Sequence, residues 1–520
     1  MKEKEEILAL DKKEKIAPKI FDKFIYIMEF ILSAIFMIFF YKLVCTKAYI
    51  GYYSKIYLGV CGLIGIGIAT IITYEIIKNR TKIEKIFLAI AIPIGMAYLI
   101  FLAPTYAPDE NAHIYRSYEI SEATLFTRTN EDGYIRSNIP EFFIDNNHHT
   151  IRKYSDLNEA MKQQTDYNTK KETSNPAYSY FPTLYFPNTI MFLIGRIFSI
   201  NGIIVLYLAR MVNFIVFLIC GYYTIKILPF GKILMMTYLL IPMSVHQAIS
   251  LSADSITNTV ALLFIAYTLY LYYKDEITRK NKILYAIFAV LISLHKLVYF
   301  PIVLISLIFT STKKMDKKQK IKFISTVIIV GLIIGMAWIT ISSRGAKEND
   351  SYAIQNNVNS GEQVKYVLTH PFSYIKVLIN TIDVNIENYY LWFMGFSMGW
   401  MDIGVRRILL DIYFILLIFS PFLEKHDKEL NGKTKIIFLL VFLMTSVLIL
   451  TALYVGHSGV GTDIVKGIQG RYFIPIVILL LLAMCGKERF IKVKYVEIIY
   501  PIIITALNAG AVEYIIKFFI

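Results

Sequence analysis

Residues 24–44 read FIYIMEFILSAIFMIFFYKLV, an unbroken apolar run of the length that crosses hydrocarbon, roughly 20 residues. The run follows a mixed-charge head from Lys2 to Lys23. It is too long for the core of a signal peptide and has no small-residue cleavage site, so a retained helix is expected. Similar runs recur along the 520 residues, of which 56% are hydrophobic, 15% aromatic and 18% charged. A soluble chain carries about 25% charged residues. The runs are continuous rather than alternating, which favours helices over a barrel as the way to satisfy every backbone group in lipid. The expected fold class is therefore all-α, a polytopic integral membrane protein. Cys45, Cys61, Cys220 and Cys485 lie in or beside apolar runs with no CxxC pair, so neither a zinc knot nor a disulfide framework is expected.

The formal charge of +15 is an orientation signal. Basic residues cluster at Lys78, Arg80, Lys82 and Lys85; at Lys274, Arg279, Lys280 and Lys282; and at Lys313, Lys314, Lys317, Lys318, Lys320 and Lys322. Further clusters are Lys425, Lys428, Lys433 and Lys435, then Lys487, Arg489, Lys492 and Lys494. Lysine and arginine beside membrane exits resist translocation, so these loops are assigned to the cytoplasm of a multi-pass plasma-membrane protein. No soluble basic domain with interleaved aromatics exists, which excludes a nucleic-acid partner. With the 1–23 head inside, about thirteen crossings are expected: 24–44, 56–77, 86–103, 204–227, 232–251, 254–273, 283–296, 298–311, 321–341, 405–423, 435–455, 471–486 and 497–519. The segment 283–311 also reads as one kinked hairpin. The organisation is then N-terminal helices over 24–103, a large first outer loop over 104–203 and a core over 204–341. A second outer loop spans 342–404 and C-terminal helices span 405–520. The stretch 183–200 carries Pro187 and Arg196 and, like aromatic 371–400, is read as interfacial.

Candidate chemistry gathers at membrane exits on the outer side. Ala107-Pro108-Asp109-Glu110-Asn111-Ala112-His113 stands where an apolar run gives way to the first outer loop. Pro108 suits a first helical turn, and carboxylates following it are stabilised by free N–H groups, so simple capping is one reading. The other is functional: Asp109, His113 and Arg116 recur at i, i+4 and i+7, and an acid, a base and a cation on one face suit an enzyme with an ionic substrate. Asp254 begins a crossing after Ser252 and reads either as an N-cap or as an ionisable group kept for function. His246, with Gln247, ends the preceding run. Arg210, Lys296 and Arg471 approach the outer half of the bilayer, where snorkelling competes with recognition of a lipid phosphate.

No Walker loop, GxSxG, HExxH or dinucleotide fingerprint occurs, so a donor carried on a membrane lipid is expected rather than a cytoplasmic nucleotide. Pro108-Asp109-Glu110 with His113, Asn175 to Pro182, Ala209-Arg210, Ser252-Ala253-Asp254 and His295-Lys296 together resemble the GT-C glycosyltransferases, such as protein O-mannosyltransferases and lipid A aminoarabinose transferases. More closely, Pro108 to His113, His370-Pro371-Phe372, Gly395 to Asp402 and Gln469-Gly470-Arg471-Tyr472-Phe473 resemble a bacterial membrane family known as domain of unknown function 2142, over roughly 86–485. The resemblance implies an inverting transferase working at the outer face. Its donor is a polyprenyl-phosphate-linked sugar in the membrane lipid, and its acceptor a cell-surface glycan, lipid or polymer. On that analogy Asp109 is the general base, and Glu110 and Asp254 orient the acceptor or, with Asp109, bind a divalent cation. Arg210, Lys296 and Arg471 hold the phosphate, with Arg116 and His246 as further substrate contacts. Magnesium or manganese suits carboxylate ligands, and histidine also admits zinc. Two rival classes are a polymerase or ligase of lipid-linked oligosaccharide, and a flippase or transporter of such lipids; a transporter predicts charges lining both halves of a central path.

Overall fold

The computed structural model describes the chain apart from residues 1, 46–51, 80, 130–133, 313, 343–355, 489–490 and 492–494, and apart from the side chains of residues 2–23 and 52–57. Arg80, Lys313, Arg489, Lys492 and Lys494 of the basic clusters thus lie outside the described residues, as does part of the second loop. What is described is almost wholly helical. The N-terminal helices are α1 (Lys2–Cys45), α2 (Tyr52–Lys78) and α3 (Ile83–Phe101). The first loop holds α4 (Glu110–Ser121), α5 (Glu141–Asp145), α6 (Tyr154–Ala160) and α7 (Phe186–Ile197). The core follows as α8 (Gly202–Ile227), α9 (Lys232–Leu239), α10 (Pro242–Ala248), α11 (Ala253–Tyr273), α12 (Arg279–His295) and α13 (Lys317–Ser342). Later helices span Pro371–Met394, Arg407–Phe419, Gly432–His457, Ile474–Met484 and Val496–Phe519.

Among the described residues, eight helices are long and apolar enough to cross a membrane. They begin and end within a few residues of the expected runs, because run length against bilayer thickness is a strong constraint. The other five expected crossings are shorter or broken. Residues 232–251 form two helices parted at Leu240 and Ile241, where Pro242 opens the second. Residues 283–311 form α12 and a 3-10 helix, Leu297–Ser311, with Lys296 extended between them (φ −151°, ψ 114°). At about 2.0 Å rise per residue, fifteen 3-10 residues reach ~30 Å, the thickness of the hydrocarbon core. Tight winding lets a short segment span.

The helix α11 joins two chemically different ends. At its C-terminal end Tyr273 donates to the Glu429 carbonyl (2.6 Å), and Lys314 bonds the carbonyls of Tyr272 (3.2 Å) and Lys274. Lys428 lies over the Tyr273 ring, and Lys487 pairs with Glu429 at 3.7 Å. Four of the basic clusters therefore meet at one end, as the positive-inside pattern requires of loops sharing a side. The N-terminal end of α11 carries Asp254, about 30 Å away by helix rise.

The first loop adds what the apolar pattern does not contain, a small antiparallel sheet of β1 (Arg128–Thr129), β2 (Ile135–Pro140) and β3 (Lys170–Thr173). Glu119 of α4 anchors it, accepting from Ser137 (2.6 Å), Thr127 (2.9 Å) and Asn175 (3.0 Å). The stretch 183–200 contains α7, which turns Phe186, Ile190, Leu193 and Ile197 outward and packs Asn188, Phe192 and Gly195 inward.

Candidate functional site

The site is made from helix ends. After α3 stops at Phe101, the chain doubles back through Thr105 and Asp109, both with positive φ (74° and 63°). The Leu102 carbonyl is held by Arg210 Nη1 (2.8 Å) and the Thr105 carbonyl by Trp400 Nε1 (2.9 Å). The helix α4 begins two residues later than the proline suggested, at Glu110. Asp109 flanks it in the left-handed region, and its carboxylate makes no capping bond. A non-glycine residue in that region is strained and is retained where the surroundings over-determine it. The twist sends the two adjacent carboxylates in opposite directions.

Glu110 points inward and is fully buried with Arg210, bonded to Arg210 Nε (2.9 Å) and Nη2 (2.5 Å), the Leu251 amide (2.9 Å) and the Ala107 amide (3.2 Å). Neither residue lines either of the two cavities described below. The expected roles of Glu110 as catalytic or metal-binding acid and of Arg210 as a phosphate contact are corrected accordingly: the two neutralise each other and clamp α3, α4, α8 and the start of α11.

Asp109 points the other way, 58% exposed, and meets Arg471 Nη2 at 3.2 Å. The Arg471 guanidinium, 4% exposed, reaches Asp254 Oδ2 through Nη1 at 3.3 Å. Its Nε donates to Gln469 Oε1 (2.6 Å), and Gln247 Oε1 stands 3.5 Å from Nη1. Asp254, 6% exposed, is also paired with Lys296 Nζ. Ser252, not Asp254, is the N-cap of α11, accepting the Asp254 amide at 3.2 Å. Lys296 Nζ lies 5.2 Å from the Tyr180 ring centre and 5.9 Å from that of Tyr472, and Arg471 lies 5.2 Å from Tyr472, cation–π distances. Gly470 permits this arrangement: a Cβ there would stand 2.0 Å from the Tyr389 carbonyl oxygen.

Of these groups Asp109, Lys296, Tyr180 and Tyr472 border a cavity of about 450 Å³, while Asp254 and Arg471 stand behind its lining. Asp109, His113, Tyr180, Lys296, Tyr299 and Tyr472 line its polar side, and Trp338, Ile339, Ile449 and Leu453 its apolar side. His113 Nδ1 is 2.7 Å from the Tyr185 hydroxyl. Burial holds its imidazole down, at about 4, with Lys296 and Arg471 adding to the effect against Asp109 and Asp254. It is therefore neutral at pH 7. A larger cavity of about 690 Å³, lined by α1, α2, α3 and Val496–Phe519, is apolar and holds none of these groups.

The structure thus brings together Asp109, His113, Asp254, Lys296 and Arg471. It does not bring Arg116, which is buried against Glu119 (3.4 Å), Thr127 (3.3 Å) and the Leu125 carbonyl (2.5 Å) because its side chain turns toward the sheet. His246 is buried between Gln247 (3.2 Å) and the Gly399 amide (3.4 Å) and supports Arg471 only through Gln247. The expected metal trio does not form. Glu110 is sealed against Arg210, a guanidinium stands between Asp109 and Asp254, and no group of three or more metal-ligating side chains occurs among the described residues. Tyr185, Trp338 and Gln469 escaped notice as site residues. Gln469 adjoins Arg471 and Tyr185 follows the Pro/Tyr-rich stretch, whereas Trp338 carries no signal beyond being one of three tryptophans.

No curated protein and no solved structure matches the chain. A family model covers residues 92–480, from within α3 to within Ile474–Met484, and so takes in Asp109, Asp254, Lys296 and Arg471. The chain belongs to the family described as predicted membrane protein (DUF2142).

Proposed function

We propose that the chain is a glycosyltransferase of GT-C type, moving a sugar from a polyprenyl-phosphate donor to a hydroxyl of a cell-surface glycan, lipid or polymer at the outer face of the plasma membrane. One observation carries this reading: an exposed carboxylate, Asp109, shares a cavity with the Lys296 ammonium, and the buried Arg471 joins Asp109 to Asp254, the carboxylate that also pairs Lys296. The acceptor O–H gives its proton to Asp109 while its oxygen attacks the anomeric carbon. The bond from that carbon to the phosphate oxygen breaks, and its electron pair leaves with the polyprenyl phosphate, which gains one negative charge. Lys296 faces that growing charge from the cavity wall, and Arg471 holds Asp109 and Asp254 in place beside it, where preformed cations act strongly. Attack opposite the leaving phosphate inverts the sugar. The apolar wall of Ile339, Ile449 and Leu453 suits an isoprenoid chain.

The test is turnover. Purified protein is given defined polyprenyl-phosphate sugars and release of polyprenyl phosphate is followed. Asp109→Asn is expected to lower the rate by about 100- to 10,000-fold, the usual worth of a general base. Undiminished turnover in Asp109→Asn removes the mechanism.

A further inference from the structure

The larger cavity, about 690 Å³, falls within the span of about 300–1,000 Å³ that ligand sites occupy. It lies between α1, α3 and the helix Val496–Phe519, where Phe40, Val44, Ile94, Phe101, Val512 and Ile516 wall it. Its place in the bundle is fixed at both ends. One end is at Phe101, where α3 stops, and at Ile520, next to Phe519, whose ring stands 4.7 Å from that of Tyr106 in the turn leading to Asp109. The other end is at Pro93 and Thr505, in the middle of their helices. From Thr505 to Lys517 the helix rises about 18 Å, close to the ~15 Å of one leaflet, half of the hydrocarbon core. The cavity is thus one leaflet deep, on the Asp109 side of the bundle.

Among the described residues only two charged side chains line it, Glu513 and Lys517, and both stand at the shallow end, paired at 2.5 Å with side chains 59% and 62% exposed. Deeper down, the Thr505 hydroxyl is engaged by the Pro501 carbonyl (2.8 Å) and the other lining side chains are apolar. A space of this kind does not hold water. We propose that it is a binding site for one membrane phospholipid with a primary-amine headgroup, phosphatidylethanolamine, its acyl chain between α1, α3 and Val496–Phe519 and its headgroup on Glu513 and Lys517. The inference does not depend on the transferase reading. Lipid tails are as apolar as the wall, so moving one from bilayer to cavity gains little from burial, and the headgroup decides which lipid stays. A zwitterionic amine matches the pair: Lys517 meets the phosphate as a point charge, and Glu513 accepts from the ammonium. Phosphatidylglycerol carries the phosphate alone and sets its charge beside Glu513. Phosphatidylcholine has no N–H to donate.

The purified full chain is exchanged into detergent carrying equal amounts of phosphatidylethanolamine, phosphatidylglycerol and phosphatidylcholine of one chain length, and retained lipid is counted by native mass spectrometry. One phosphatidylethanolamine per chain is expected, favoured over each rival by about 3- to 10-fold at low salt, the range for exposed charges acting together. Glu513→Gln should erase the preference over phosphatidylglycerol, and Lys517→Gln should lower retention of all three. Both side chains are exposed, so the fold does not depend on them. Ala509→Phe, at an exposed position of the same wall, should fill the cavity and release the lipid whatever its headgroup. Equal retention of the three lipids, a preference that survives Glu513→Gln, retention unchanged by Ala509→Phe, or displacement of phosphatidylethanolamine by added polyprenyl phosphate overturns the assignment. None of these outcomes bears on turnover at Asp109.

Discussion

Replacing Glu110 by Gln keeps the side chain's size and deletes only its charge, which separates a structural carboxylate from a chemical one. In the native protein its two oxygens receive four N–H groups, two from Arg210 and one each from Leu251 and Ala107, with both charged partners fully buried. A carboxamide has one accepting oxygen and points its own NH₂ at donors. The Arg210 charge is then left uncompensated where water does not reach. Removing one partner of a buried ion pair costs about 3–5 kcal/mol, and at about 1.4 kcal/mol per decade the folded fraction relative to the unfolded falls by roughly a hundred- to a few-thousand-fold. Thermal unfolding in detergent, read by a thiol-reactive dye at the buried Cys61 and Cys485, should show a clear drop in Tm for Glu110→Gln. The double variant Glu110→Gln with Arg210→Met should recover most of it, since no charge is left unpaired. A Glu110→Gln protein that melts like the native chain yet has lost turnover would refute the structural assignment and return Glu110 to the chemistry.

Asp109→Gly removes the left-handed strain of about 1–2 kcal/mol at the expense of glycine's entropy, so Tm should hold or rise while polyprenyl phosphate release collapses. His113 should impose a pH dependence on stability. Burial sets its folded value at about 4 against an ordinary 6.5, so between those limits only the unfolded chain takes up the proton. Stability then falls as pH drops through that window, by up to roughly 3 kcal/mol at its foot; in paired melts from pH 7 to 4, His113→Gln should lose that share of the slope. Gly470→Ala would drive a methyl to 2.0 Å from the Tyr389 carbonyl oxygen and 2.4 Å from the Phe393 nitrogen. It should lower both Tm and turnover by displacing Arg471, and retained activity would contradict the packing described.

Some of this was legible before any coordinates. Asp254, Lys296 and Arg471 stand out because an ionisable group beside an apolar run has few reasons to be there, and the structure finds all three within one ion-pair chain ending at Asp109. Run lengths located the long helices for the same physical reason. The division of labour between Asp109 and Glu110 was not legible, because it turns on the backbone of Asp109, and left-handed geometry at a non-glycine residue leaves no mark in composition. Arg116 misled because helical spacing assigns a face but not what a long side chain finds there, in this case Glu119 and the sheet. The sheet itself escaped because β1 and β3 are two and four residues long and polar. The buried Glu29 and Glu75 of α1 and α2, with Tyr26 and Asn79 donating to Glu75 at 2.5 and 2.6 Å, likewise show no spacing that announces their meeting.

The 3-10 winding of Leu297–Ser311 also decides how deep Lys296 sits. Rewound as an α-helix at about 1.5 Å per residue, the same fifteen residues would shorten by ~7 Å. With its far end tied at Lys314, that contraction would draw the ammonium away from Asp254 and empty one corner of the ion-pair chain. The pitch of a segment with no catalytic side chain is therefore the gauge by which the cation is held in register with its carboxylate.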